Sequence, residues 1–267
     1  MTRSWSRPAV TGLTLALALT ACGGTDTQAA SPPTTPSASS APAVSGTVNV
    51  FAAASLTGSF EQIAKGFKAA NPGVDVVLNL GASSALAQQV VSGAPADVFA
   101  AASPATMKTV VDAGDASGPV VFVRNRLEIA VPADNPGRVT GLADFTKPAL
   151  KIALCAPKVP CGTAAAKAFK AAGLTPSVDT EEQDVKAVLS KVTLGEVDAA
   201  LVYRTDVLAA GAKVKGIAFP EADKAVNDYP IAATTGATNR QGAAAFVAYV
   251  LSMKGQAVLA AAGFDSP

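Results

Sequence analysis

From residue 47 to residue 101 the apolar residues switch repeatedly between a period of about two and a period of about 3.6, and this alternation limits the fold more than any other feature. Residues 47–53 form a β-rich run. Phe60, Ile63, Ala64 and Phe67 then recur at the i, i+3, i+4, i+7 spacing of a helix face, and Asn71-Pro72-Gly73 stops the chain. Val74, Val76, Leu78 and Leu80 alternate with Asp75, Val77 and Asn79 as a strand, and Leu86, Val90 and Val91 mark a second helix ended by Gly93. A short strand over residues 97–101 precedes a helix after Pro104. A βαβαβ series of this kind requires parallel strands with right-handed crossovers, and hence an α/β fold.

The second half repeats the theme. Strands are expected over residues 127–131, 151–154, 199–203 and 214–219, with helices after Cys161, Asp184 and Tyr203. Residues 229–234 read as a strand and 243–262 as one helical stretch. The middle of the chain therefore reads as an insertion in a domain built from both ends.

Special residues recur where a strand turns directly into a helix: Ser55, Ser83, Cys161-Gly162-Thr163, Asp184-Val185 and Tyr203. Each junction offers unpaired backbone N–H groups at the positive end of a helix dipole. In an open α/β sheet such junctions share the carboxyl edge, where ligands bind. Five converging helix starts would make an anion site without a formal cation. Any one of these residues, taken alone, reads more readily as a helix cap than as part of a site. Arg124, Arg126 and Arg204 read as surface groups.

Composition narrows the chemistry. There is no histidine, which removes Ser-His and Cys-His nucleophilic systems, imidazole acid/base chemistry and His-ligated metals. Neither serine begins a Ser-x-x-Lys pattern, since Gly58 and Leu86 stand at that spacing, so a serine hydrolase lacks its base. Lys and Arg total 21 against 20 Asp and Glu, which is not the footprint of a nucleic-acid binder.

At the N-terminus Arg3 and Arg7 precede an apolar stretch over residues 9–19, too short to span a bilayer, so residues 1–21 read as a signal peptide. The sequence Leu19-Thr20-Ala21-Cys22 resembles the lipobox of bacterial lipoproteins, in which the Cys carries the lipid; the other reading is an ordinary cleavage site followed by an unrelated Cys. Residues 22–45 follow as a lipidated Cys and a linker rich in Ser, Thr and Pro, the composition of a flexible tether. In an exported chain Cys155 and Cys161, close in sequence among Pro157, Pro160 and Gly162, read most simply as a disulfide, and less well as half of a metal site.

The runs Val50-Phe51-Ala52-Ala53-Ala54-Ser55-Leu56, Gly81-Ala82-Ser83-Ser84-Ala85-Leu86-Ala87 and Gly93-Ala94-Pro95-Ala96-Asp97-Val98-Phe99-Ala100 resemble the substrate-binding subunit of bacterial molybdate ABC transporters. Val159-Pro160-Cys161-Gly162, Asp184-Val185, Gly195-Glu196-Val197-Asp198-Ala199-Ala200-Leu201-Val202-Tyr203, Phe219-Pro220 and Tyr229-Pro230 continue the resemblance in order, through residues 47–264. It implies a two-lobed periplasmic-binding-protein fold of the second type, each lobe a mostly parallel sheet flanked by helices. The first lobe would comprise residues 46–121 and 229–267, the second 122–228. It also implies that Ser55 and Ser83 hold an oxyanion through hydroxyl and backbone N–H, with backbone donors at Cys161 and Val185 and the phenol of Tyr203 opposite. Cys161 departs from the family, where Ala is frequent, but a backbone donor is indifferent to its side chain.

The implied ligand is molybdate or tungstate, with no cofactor, no catalysis and no direct protein ligand to the metal. The implied partners are a membrane permease of an ABC importer and, through the lipid on Cys22, the outer face of the cell membrane, the protein acting as a monomer. Sulfate, phosphate or a small carboxylate is the alternative ligand.

Overall fold

The computed structural model describes residues 44–267. The stretch read as a signal peptide, residues 1–21, Cys22, and the stretch read as a linker, up to residue 43, lie outside the described residues.

The chain begins with β1 (Gly46–Ala53), a single 3₁₀ turn Ala54–Leu56, and α1 (Thr57–Ala70). Phe60, Ile63 and Phe67 of α1 are fully buried, as their spacing requires, and the Asn71 amide donates to the Phe67 carbonyl at the helix end. There follow β2 (Val74–Gly81), α2 (Ser83–Val91), β3 (Val98–Ala100) and α3 (Pro104–Asp112). β1 pairs in parallel with both β2 and β3. The sheet is completed by β4 (Val120–Asn125) and β10 (Asn227–Ala233), in the order β2-β1-β3-β10-β4 with β10 antiparallel to its neighbours.

Side chains of this sheet alternate between two cores. Val48, Val50, Ala52, Val98, Ala100, Tyr229 and Ile231 face α1 and the C-terminal helices α7 (Arg240–Leu251) and α8 (Met253–Ala261), while Phe51, Phe99 and Ala232 face α2 and α3. Phe246 of α7 meets Phe60 and Phe67 edge-on. Asp97, fully buried just before β3, binds the segments together. Its carboxylate accepts from Asn49 N and Nδ2, Thr238 N and Oγ1, and Asn239 N, at 2.7 to 3.1 Å. Burial opposes its ionisation, but these bonds outweigh it and hold the carboxyl below its ordinary range.

The second sheet is built from β5 (Leu127–Pro132), β6 (Ile152–Cys155), β7 (Thr180–Glu182), β8 (Ala199–Tyr203) and β9 (Val214–Ile217), in the order β7-β6-β8-β5-β9 with β5 antiparallel. α4 (Pro160–Ala172), α5 (Val185–Thr193) and α6 (Arg204–Ala210) connect its strands. Its core is one cluster centred on Ile129, Ile152, Ala168, Val188 and Leu201. The two orders are the same topology written twice, each sheet having four strands in one direction and one against them. This is the two-lobed α/β architecture expected.

Only Arg126 separates β4 from β5, and the chain returns between Ile217 and Asn227. The divisions expected after residues 121 and 228 therefore fall inside β4 and β10, because pairing with each other keeps both strands in the first sheet. β7 was not expected, and carries no apolar residue: its extended form comes from pairing with β6. The helical stretch expected over 243–262 breaks at Ser252, which ends α7 and caps α8 by accepting from Gly255 N, and the two axes differ by 58°.

Candidate functional site

Five strand ends lead into helices on the facing edges of the two sheets, and there the predicted residues meet. Ser55, Ser83, Cys161, Val185 and Tyr203 line one cavity with a free interior of about 20 Å³, together with Asp184. All five are at least nine-tenths buried. Ala54 of the first lobe packs into the core of the second, with Ala82 against it, so the lobes are in contact over the cavity. Two wider grooves flank it, of about 540 and 240 Å³. Lys158 and Lys167 line one and Lys186 the other; none of the three lines the cavity.

Three of the helix starts around this cavity differ from those elsewhere. α3, α7 and α8 are capped by the side chains of Ser103, Asn239 and Ser252. The 3₁₀ turn Ala54–Leu56, α2 and α4 begin after Ala53, Ala82 and Val159, with no side-chain cap at all. Their first-turn N–H groups, which have no partner within the helix, are left for whatever the cavity holds. Neither Ser55 nor Ser83 is a cap. Ser55 Oγ lies 2.8 Å from Tyr229 Oη, and Ser83 Oγ accepts from Ala102 N at 3.0 Å.

In the second lobe Asp184 is the cap that its position suggested. Its Oδ1 accepts from Lys186 N and Ala187 N, leaving the N–H of Val185 outside the cap. Pro160 opens α4 without an N–H, so the first donor of that helix belongs to Cys161. Cys161 is bonded to Cys155, the last residue of β6, across a Cα separation of 5.7 Å. The loop folds back so closely on the helix that a Cβ on Gly162 would lie 2.0 Å from the Ala156 carbonyl oxygen, which only glycine avoids.

Behind the cavity lies a buried polar layer for which the sequence offered only a weak signal, Asn residues at the ends of otherwise apolar strands. Asn227 Nδ2 donates to Tyr203 Oη at 2.7 Å and to Ala102 O at 2.8 Å. Asn125 Nδ2 donates to Thr205 Oγ1 at 2.8 Å and approaches Tyr229 Oη at 3.5 Å, while its Oδ1 accepts from Arg126 N. The rings of Tyr203 and Tyr229 meet edge to face at 6.0 Å. Burial first, then the neighbouring Tyr229, pushes the Tyr203 hydroxyl well above its usual range. Burial raises Tyr229 likewise, so both phenols stay neutral. Fully buried Asp206 accepts from Tyr203 N and pairs with Lys186 at 2.9 Å; burial raises its carboxyl while the lysine opposes the shift.

No Lys or Arg lines the cavity. Arg124 pairs with Asp228, Arg126 with Asp223 and Asp265, and Arg204 lies 3.9 Å from Asp265, all partly exposed near the crossing between lobes. The arginines are thus surface groups, as expected. The chemistry of the cavity is that of hydroxyl and backbone donors converging on a small space, suited to an anion all of whose oxygens accept.

Residues 48–265 match the family described as bacterial extracellular solute-binding protein. The molybdate-binding protein ModA of Mycobacterium tuberculosis is 43% identical over 219 residues, covering 82% of this chain and 84% of that protein. Among solved structures, the periplasmic molybdate-binding protein of Azotobacter vinelandii superposes with a TM-score of 0.74 at 23% identity, over 82% of this chain and 99% of that one. The sulfate-binding protein SubI of M. tuberculosis does so with a TM-score of 0.72 at 19% identity, over 82% and 86%. With the family match spanning both lobes and the cavity between them, this chain belongs to the bacterial extracellular solute-binding proteins.

Proposed function

We propose that the protein captures molybdate, and with it tungstate, outside the cytoplasm and delivers it to the membrane permease of an ABC importer, without catalysing a reaction. The observation that carries this reading is the composition of the cavity, in which hydroxyls and uncapped helix starts from both lobes converge and no cation takes part. The 43% identity to a protein named for molybdate binding supports the choice of ion.

Ser55, Ser83 and Tyr203 would donate through their hydroxyls, and Cys161 and Val185 through backbone N–H. Molybdate carries no proton at neutral pH, so each of its oxygens accepts. Phosphate retains one proton and needs an acceptor, and the one carboxylate lining the cavity, Asp184, spends Oδ1 on the start of α5, so that Oδ2 alone remains for that part. Sulfate has the charge and shape of molybdate but is smaller, so fixed donors cannot all reach it at once. Separation of the lobes would withdraw half the donors together and release the ion. Cys22 would carry the lipid that holds the monomer to the outer face of the cell membrane.

Isothermal titration with molybdate, tungstate, sulfate and phosphate tests the reading. Tight binding of the first two and weak binding of the others is expected. Comparable affinity for sulfate would turn the assignment toward sulfate, a ligand that the shared fold of SubI already accommodates.

A further inference from the structure

We infer that Asn227 is a specificity-determining positioning residue, which commits the hydroxyl of Tyr203 to donating into the cavity and anchors the Ala102 backbone that does the same for Ser83. This rests on the reading of those two residues as ligand donors.

The orientation of the Asn227 amide follows from its partners. Ala102 O can only accept, so the group 2.8 Å from it is the nitrogen, and that same nitrogen lies 2.7 Å from Tyr203 Oη. An amide nitrogen carries two hydrogens and no usable lone pair, so Tyr203 Oη must accept one of them. Its own single proton is left to give, and a charged guest competes for it with the neighbouring Tyr229 hydroxyl, a neutral acceptor. The same residue serves the other lobe: the Ala102 carbonyl takes the second hydrogen of Asn227, and Ala102 N donates to Ser83 Oγ at 3.0 Å. Ser83 thereby also accepts from a group that can only donate, and keeps its proton for the cavity.

One buried side chain, at the point where the chain re-enters the first sheet, thus sets the hydrogen-bond polarity of the Tyr203 hydroxyl and anchors the residue whose N–H sets that of Ser83. A fully deprotonated oxyanion matches the arrangement. A protonated one would bury an O–H facing other donors, and an unsatisfied buried donor is costly. Asn227 selects against protonated oxyanions without being positioned to touch the ion.

The test is a double-mutant cycle on the full chain, read by calorimetric titration with molybdate and with phosphate. Tyr203→Phe should weaken molybdate binding by about 10- to 100-fold, the loss of a hydrogen bond to a charged group. Asn227→Leu should weaken it by about tenfold in the parent and by much less in the Tyr203→Phe background, because its effect passes largely through that hydroxyl. Asn227→Asp supplies an acceptor that draws the Tyr203 proton away from the cavity, and should narrow the preference for molybdate over phosphate. If Asn227→Leu shows no cooperative melt, the smaller and polar Asn227→Ser takes its place in the cycle. An equal loss in both backgrounds, after Tyr203→Phe has itself weakened binding, overturns the inference alone. Unchanged affinity in Tyr203→Phe overturns the ligand reading and the inference with it.

Discussion

The two lobes share one topology, yet they furnish the cavity differently. β1, β2 and β3 correspond in order and direction to β6, β7 and β8, so Ser55 corresponds to Cys161, and Ser83 to Val185. The first lobe places hydroxyls at these points and holds them by a hydrogen bond between Ser55 and Tyr229 and one from Ala102 N to Ser83. The second places residues whose side chains bring no hydroxyl, and holds its backbone by a disulfide, a close approach at Gly162 and the Asp184 cap. Topology fixes where a donor stands, and the local sequence decides whether it is an O–H or an N–H. Side-chain donors can be deleted singly; backbone donors can be disturbed only by moving the chain.

The largest effect should come from the first lobe. Ser55→Ala with Ser83→Ala removes two donors to a charged guest, each worth about 1.5 to 3 kcal/mol, so titration should show molybdate affinity reduced by about 10²- to 10⁴-fold. Unchanged affinity would show that the cavity is not the binding site. The corresponding change in the second lobe, Cys155→Ser with Cys161→Ser, should act on stability instead. Opening so short a loop costs about 2 kcal/mol, which calorimetry would register as a melting temperature lower by about 4 to 8 °C, while the backbone donor persists and affinity falls much less. A loss of affinity matching that of the serine pair would erase the distinction between the lobes.

Acid should separate them more gently. Asp144 of the second lobe is held at about 2, chiefly by its bond with Lys147 and then by Thr140 N. Since this folded value lies below the ordinary 3.8, the stabilisation is complete above about pH 4 and is lost as pH falls toward 2. Asp144→Asn should flatten the acid limb of a stability profile over that window, and an unchanged limb would deny the carboxylate this role. The smallest expected change is in binding across neutral pH. There is no histidine, and both buried phenols are pushed upward, so molybdate affinity should vary by less than about twofold between pH 6 and 9. A titration step within that range would point to a charged group at the cavity.

The elements that bury one face alone were legible in the sequence, because spacing such as that of Phe60, Ile63 and Phe67 is a local property. The strand-to-helix junctions were legible for the same reason, and their convergence followed from the parallel sheet. β7 was not, since Thr180–Glu182 is extended only by virtue of its neighbour. Neither was the layer behind the cavity. Asn227 lies 125 residues from Ala102 and Tyr229 lies 174 from Ser55, so no window of sequence contains both members of either pair. Asp97 shows the same limit: it stood within a recognisable motif, yet its partners in residues 238 and 239 are more than 140 residues away.

The closure of the lobes over the cavity also bears on time. A guest enclosed by groups almost wholly removed from solvent cannot leave one contact at a time, so its escape waits on the separation of the lobes. Its dwell time is then governed by the contacts that hold the lobes to each other, such as the bond from Asn227 to Tyr203 and the seating of Ala54 in the opposite core. A partner able to prise those apart could empty the cavity at once, without competing with any donor for the guest.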